Sequence, residues 1–252
     1  KLKKMDFSLN DISKLLNKVA IKLSKREKQK AKQNAKLKIA NKQKDEIISA
    51  ISHEFKNPIA IISGYTETIL NDEQMPQPMK IRFLKKIYSN ANKMSHIVDK
   101  LRLTLKLEEG KQELILIPCS MKKLIITCIS DLKDKYKNRE ILIQGDDITL
   151  KVDETLISMA ISNLIENALK YSEDEIIVNI SDKSITIIDK GIGIEEKELE
   201  KINQKFYRIS NNGWNNSLGL GLFIVQSVLS LHNFTLKIDS VFKNGSQFSI
   251  NY

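Results

Sequence analysis

Cysteine is scarce in this 252-residue chain: Cys119 and Cys128 are the only two, and they fit neither a CxxC pair nor the spacing of a metal cluster. A disulfide scaffold or thiolate metal centre is therefore not indicated, and two reduced, small core residues are expected. No run of eighteen or more apolar residues occurs, so no segment is long and apolar enough to cross a bilayer, and the sequence from Lys1 lacks the apolar stretch of a signal peptide. The chain reads as a cytoplasmic piece of a longer protein. From Arg26 to Lys44 there is neither glycine nor proline, only helix-tolerant Lys, Gln, Asn and Ala with scattered others, which predicts a continuous charged helix. Aromatic residues are nearly missing from the first fifty positions, where Phe7 stands alone. That segment holds 15 Lys and Arg against 5 Asp and Glu, whereas the remainder is balanced at 26 against 26, so the whole net charge of +10 sits in one arm. A basic arm without interleaved aromatics is a poor platform for stacked bases, and no nucleic acid partner is expected; basic residues just inside a membrane suit the topology and the lipid surface better.

What is present is periodicity. Leu9, Ile12, Leu16, Val19 and Leu23 follow the alternating three-four rhythm of a coiled-coil seam. In the stretch 47–70, Ile48, Ile51, Phe55, Ile59 and Ile62 recur at steps of three and four and predict one buried stripe on an amphipathic helix. His53 lies about 200° round from Ile51 at roughly 100° per residue, so its imidazole is presented to solvent opposite the stripe, with Glu54 beside it. An exposed histidine next to a carboxylate is a candidate for proton or phosphoryl chemistry, although such a pair is ordinarily only a solvated helix face. Pro76 and Pro78 then mark a reversal, and Leu84, Ile87, Ala91, Met94, Val98, Leu101 and Leu105 form a second, unusually regular seam on a helix from about Met79 to Leu107. A two-helix hairpin cannot cover such stripes by itself, and pairing two hairpins into a four-helix bundle does. A homodimer through residues 45–107 follows.

After Gly110 the pattern changes. Short β-rich runs at 114–117, 141–144, 148–152, 175–180, 184–188, 235–238 and 247–250 alternate with helical stretches at 120–136, 154–171 and 220–231, which predicts helices packed on a mixed sheet, an α+β sandwich. Asn163, Asn167, Lys170 and Tyr171 fall at spacings of four, three and one on the helix 154–171, placing the asparagines and the lysine on one polar face while Leu164, Ile165, Ala168 and Leu169 turn to the sheet. An amide oxygen is a hard neutral ligand suited to Mg²⁺, and a lysine one turn on meets phosphate oxygens. The run ITIIDKGIGI sets Asp189 at the end of a strand before Gly191 and Gly193, where a carboxylate can accept from the exocyclic amine of adenine and glycines permit close backbone approach. LGLGLFIV sets Gly219 and Gly221 at a helix N-terminus, where free N–H groups favour phosphate.

These elements, in this order, resemble the sensor histidine kinases of two-component systems. SHEFKNP around His53 is similar to their H-box, Asn163–Tyr171 to the N-box, Asp189–Gly193 to the G1 box, Phe206–Arg208 to the F-box and Gly219–Gly221 to the G2 box. The match spans about Asp45 to Tyr252, and NDISKLLNKVAIKLSKRE further resembles the second helix of a HAMP relay. The resemblance implies a multidomain chain: a coiled-coil, HAMP-like linker at 1–44, an all-α dimeric four-helix bundle for dimerisation and phosphotransfer at 45–110, and an α+β sandwich of the Bergerat type, binding ATP, at 111–252. It implies that Asn167 holds Mg²⁺, Asp189 reads adenine, Tyr171 stacks on it, and the segment between Phe206 and Gly219 is a mobile lid. Where the family usually carries a further glycine and a Thr or Ser before GLGL, this chain has Ser217 and Leu218, and the lid NNGWNNS is short, with Trp214 exposed or folded over the nucleotide.

The implied function is ATP-dependent autophosphorylation of His53, with Glu54 taking the proton of the other ring nitrogen, then transfer to an aspartate of a response regulator. Asn163 stands where gyrase-type ATPases carry their water-activating glutamate, so hydrolysis is expected to be slow. Asn57, one turn from His53, occupies the place of the family's phosphatase amide, or else is simply the polar residue before Pro58. The parent protein is expected to be anchored in the plasma membrane. A rival is a signalling scaffold that binds nucleotide and regulator without transferring phosphate. His96 and His232 have no acidic neighbour and are expected to be surface or packing residues.

Overall fold

The computed structural model describes residues 9–133, 135–136, 138–209 and 218–252. The chain has two compact units that divide between His53 and Glu54. The first is helical throughout its described part, the beginning of α1 (Leu9–Asn71). Its coiled-coil residues Leu16, Val19 and Leu23 are exposed, at 64%, 47% and 54%, so the chain's own residues do not cover that seam; the side chains of Leu9 and Ile12 lie outside the described residues. Pro58 sits inside α1 without ending it, which removes one backbone donor to the carbonyl of Glu54, four residues earlier.

In the second unit α1 turns at 72–76 into α2 (Gln77–Glu108), which starts after Pro76 with Pro78 in its first turn, where a missing N–H costs nothing. Met75 is buried under the turn and the rings of Tyr65 and Phe83 meet at 4.8 Å between centroids. The expected seam of α2 is only partly covered: Leu84, Val98 and Leu105 are 50%, 50% and 59% exposed, whereas Ile87, Met94 and Leu101 are half-buried. The residues of α2 that are buried are Ile97 and Thr104, one position round the helix from that seam. On α1, Ile48 and Ile59 are likewise about half exposed.

The remainder is a mixed sheet under helices. β2 (Ile141–Gln144), β4 (Ile176–Ile180), β5 (Ser184–Asp189), β7 (Ser246–Asn251) and β6 (Thr235–Ser240) lie side by side in that order, β2 parallel to β4 and every other pair antiparallel. β1 (Ile117–Ser120) and β3 (Thr149–Val152) form a separate antiparallel pair. Strand alternation supplies the inner face: Ile176, Val178 and Ile180 of β4 and Ile185 and Ile187 of β5 are at most 3% exposed. Against it lie α3 (Met121–Lys133), α4 (Glu154–Tyr171) and α6 (Gly221–Leu231), whose Ile125, Ile161, Leu164, Ile165, Ile224 and Leu229 are fully buried. Each such side chain contributes about 1.5–3 kcal/mol of burial, so α4, with nine buried residues, is the element that the domain is packed around. A short helix, α5 (Glu196–Leu199), follows β5. Cys119 and Cys128 are buried free thiols, as expected.

The N-terminus of α4 is held by Asp153. Its carboxylate accepts from the N–H of Leu156 at 3.1 Å, capping the helix, and from the N–H of Ile115 at 3.0 Å. Its own N–H donates to Nε2 of His232 at 3.0 Å, and Nδ1 of the same ring meets the carbonyl of Val228 at 2.8 Å. One residue thus ties α4, the end of α6 and the segment leading into β1 together. Asp153→Ala should lower folding stability by about 1–2 kcal/mol, the worth of a cap plus a part-buried donor left unpaired, read as a lower denaturant midpoint with an unchanged slope.

Candidate functional site

The polar edge of α4 divides the site from the core. Leu164, Ile165, Ala168 and Leu169 are buried at 0–3% exposure, as the periodicity predicts. Asn163, on the opposite edge, is itself buried: its Nδ2 donates to the carbonyl of Met159 at 2.8 Å, one turn back, which fixes the amide and leaves Oδ1 directed away from the helix. Asn167 and Lys170 are half-buried on the same edge. Among the described residues no hydrogen bond engages the Asn167 side chain, so its oxygen is available to a ligand.

At the other end of α4, the chain leaving β5 presses against the helix terminus. The N–H of Ile192 donates to the carbonyl of Tyr171 at 3.1 Å, and a side chain at Gly191 would collide with that carbonyl and with the Asp189 carboxylate. Only glycine fits there. Asp189 is 5% exposed and its Oδ1 accepts from the N–H of Gly191 at 2.9 Å. Burial pushes its carboxyl up from the ordinary carboxylate range, opposed by the N–H groups of Gly191 and Ser246, which favour the charged form. Gly193 completes the turn beside Val241, and Lys243 donates its N–H to the carbonyl of Ile192 at 2.7 Å. Tyr171 stays 40% exposed, with its phenol pushed up by burial and drawn back by the charge of Arg208.

The third side is made where the two flanks of the lid meet. Phe206 donates its N–H to the carbonyl of Gly219 at 2.9 Å, and a Cβ at Gly219 would lie 2.7 Å from the carbonyl of Tyr207; Gly219 accordingly has φ +66°. Phe206 also takes a positive φ, of 62°, a conformation that costs a bulky residue about 1–3 kcal/mol and is held here by that hydrogen bond. Tyr207 is anchored by its hydroxyl to Glu198. Gly221 opens α6 without a side-chain cap, and its Cβ position is 3.4 Å from Oδ1 of Asn163. Leu218, one of the two departures from the usual motif, is buried. Ser217, Trp214 and the rest of 210–217 lie outside the described residues.

The contacts run from Asp189 through Gly191 to Tyr171, and from Phe206 through Gly219 and Gly221 back to Asn163. Four motifs spread over nearly sixty residues therefore surround one polar helix face. The face can hold an adenine against Asp189 and phosphates against the N-terminus of α6. Among the described residues no group of three or more His, Cys, Asp or Glu could hold a metal ion. An Mg²⁺ here would thus draw most of its oxygens from the ligand, with the Asn167 amide as a fitting protein donor.

On α1, His53 and Asn57 are exposed and helical, whereas Glu54 is 6% exposed. Its carboxylate accepts no hydrogen bond among the described residues; burial pushes the Lys170 ammonium down, and the charge of Glu54 is the weakest of the influences acting on it, opposing that shift. Sequence reasoning placed Glu54 with His53 on the solvated face. Adjacent helical residues point about 100° apart, and that difference takes Glu54 under cover.

Two residues that periodicity did not mark also face α4. Lys135 pairs with Glu166, and Lys100 of α2 reaches Oδ1 of Asn163 at 3.4 Å. Both contacts are tertiary and have no local sequence signature. His96 is exposed and His232 is a buried strut, in keeping with their reading as surface and packing residues.

Residues 43–110 match the His Kinase A (phospho-acceptor) domain, and residues 152–252 match the Histidine kinase-, DNA gyrase B-, and HSP90-like ATPase family. The phosphate regulon sensor protein PhoR of Pseudomonas aeruginosa is 31% identical over 218 residues, covering 82% of this chain and 49% of that protein. The sensor-like histidine kinase SenX3 of Mycolicibacterium smegmatis is 27% identical over 217 residues, 82% of this chain and 56% of its own length. The solved structure of the Acinetobacter baumannii histidine kinase AdeS shares the fold, with a TM-score of 0.59 at 21% identity, over 79% of this chain and 95% of that one. The chain belongs to the histidine kinase family, carrying its phospho-acceptor domain followed by its ATPase-family domain. It spans about half the length of the curated relatives it matches.

A carboxyl whose pKa is higher folded than unfolded costs stability above the carboxylate range and nothing below it. Asp189→Asn, which removes the buried charge, should therefore leave the melting temperature unchanged or higher at pH 7–8. The gap should close as the pH falls below about 4, as thermal denaturation across that range would show.

Proposed function

We propose that the chain is the signalling part of a membrane-anchored, homodimeric sensor, acting on the cytoplasmic side, which phosphorylates its own His53 from ATP and passes the phosphoryl group to an aspartate of a response regulator. The observation that carries this reading is the closure of the N, G1, F and G2 motifs around the polar face of α4, together with the exposed imidazole of His53. The functional division we propose is a linker at 1–44, a dimerisation and phosphotransfer domain at 45–110, and a catalytic ATP-binding domain at 111–252. The half-exposed Leu84, Val98 and Leu105 are the surface that a second hairpin covers in the dimer.

Asp189 accepts from the adenine amine, Tyr171 stacks on the ring, and Lys170, Gly219 and Gly221 face the phosphates, with Phe206 and Arg208 at the base of the lid. Mg²⁺ held by Asn167 would neutralise charge on the phosphates. In the transfer, a ring nitrogen of His53 attacks the γ-phosphorus. The N–P bond forms as the bond to the bridging oxygen breaks, ADP leaves with the electron pair, and the proton of the other ring nitrogen passes to a base, for which Glu54 is the candidate. Asn163 has no basic group, and both ends of its amide are engaged, so water is not activated and hydrolysis stays slow. In the second transfer the aspartate oxygen of the regulator attacks phosphorus and the N–P bond breaks.

His53→Gln should abolish acid-labile label from ATP while nucleotide affinity is retained, and Asp189→Asn should remove both. A chain that binds ATP and regulator but incorporates no label would be a scaffold.

Asn57 is exposed one turn along α1 from His53, where its amide would orient water on the phospho-aspartate of the regulator. Asn57→Ala should slow dephosphorylation of the regulator by roughly a hundredfold, the usual worth of placing a nucleophile, and spare labelling of His53. Equal loss of both activities would make it a residue shaping the helix before Pro58.

A further inference from the structure

Ile97, Lys100, Thr104 and Glu108 follow one another on α2 at steps of three and four, forming a face one position round from the exposed seam. This is the face that docks. Ile97 and Thr104 are buried, α2 packs against α6, and Glu108 pairs with Lys205, whose ammonium also lies 5.1 Å from the centre of the Phe223 ring on α6. The hydroxyl of Thr104 donates to the carbonyl of Lys100 at 2.7 Å. Lys100 projects its ammonium to within 3.4 Å of Oδ1 of Asn163. That same oxygen lies 3.4 Å from the Cβ position of Gly221, the first residue of α6.

Lys100 is half-buried, and among the described residues no carboxylate pairs with it; its one hydrogen bond there is to a neutral amide. The Lys170 ammonium is pushed down chiefly by burial and further by the charges of Lys135 and Lys100, while Glu166 and Glu54 hold it up. Lys135 is compensated by Glu166. Lys100 therefore brings a cation without an ion-paired carboxylate to Asn163, beside the uncapped N-terminus of α6, and Lys170 follows two turns along the same edge of α4. The two cations repel, the charge of Glu166 offsets both in part, and an anion bridging them would add attraction.

We propose that Lys100, contributed by the phosphoacceptor hairpin, is a positioning residue that contacts the outer phosphates of bound ATP together with Lys170. It supplies no atom to the reaction. It makes closure of α2 on the ATP-binding domain depend on how many phosphates the nucleotide carries. This rests on the ATP site described above and adds to it the source of discrimination between ATP and shorter nucleotides.

The test is titration calorimetry of the full chain with ATP, ADP and AMP in the presence of Mg²⁺, comparing wild type, Lys100→Ala and Lys100→Arg. The alanine variant should bind ATP roughly tenfold more weakly, the worth of one charge-assisted hydrogen bond, with AMP affinity unchanged. The arginine variant, which keeps the charge and the stem, should recover most of the loss. Tighter ATP binding by Lys100→Ala would overturn the proposal and make Lys100 an occluding latch. Equal weakening for ATP and AMP would make it a packing residue, and no change would leave it without a role in binding. Asp189→Asn separates the two levels: if it binds ATP like wild type, or if wild type binds no adenine nucleotide, the ATP site itself is misassigned.

Discussion

The close approach of two backbones at Gly191 is the constraint on which the site depends. α4 ends where β5 ends, and the carbonyl of Tyr171 is satisfied by the N–H of Ile192, leaving no room for a Cβ between them. Because the junction is backbone to backbone, it fixes Asp189 and Tyr171 relative to each other without relying on long side chains. A buried carboxylate then sits at the mouth of the site with one oxygen held by the Gly191 N–H. Burial raises its pKa, and the N–H groups of Gly191 and Ser246 oppose that shift.

The α-helical part follows a different physics. Its helices are specified by regular apolar spacing and by the lack of any glycine before Gly64. Spacing alone does not say what each stripe faces. In α2 the seam Leu84, Val98 and Leu105 remains open, while the neighbouring positions Ile97 and Thr104 are covered. One helix therefore serves two interfaces a single residue apart. One is apolar and repetitive, suited to a second copy of the same hairpin. The other is mixed, with Lys100 and Glu108 making polar contacts to the ATP-binding domain.

This division also marks how far the sequence could be read. Strands with strict alternation, such as β4, and the helix 154–171 were legible because burial on one face imposes a period. Gly191 and Gly193 were legible as points of close backbone approach, because a Cβ at either would collide with a neighbouring carbonyl. Lys100, Lys135 and the link from Asp153 to His232 were not. Each depends on residues 31 to 79 positions apart, and a lysine that touches an amide looks in sequence like one that touches water. Glu54 was read as solvated beside His53, yet it is buried with its charge acting on Lys170, because a helix face one step round can belong to another neighbour.

The burial of Glu54 bears on α4 rather than on the solvated face of α1. Burial pushes the Lys170 ammonium down, the like charges of Lys135 and Lys100 push the same way, and the carboxylates of Glu166 and, more weakly, Glu54 oppose them. Because successive helical residues point about 100° apart, one helix leaves His53 exposed and covers Glu54, so an adjacent pair in the sequence serves two different surroundings.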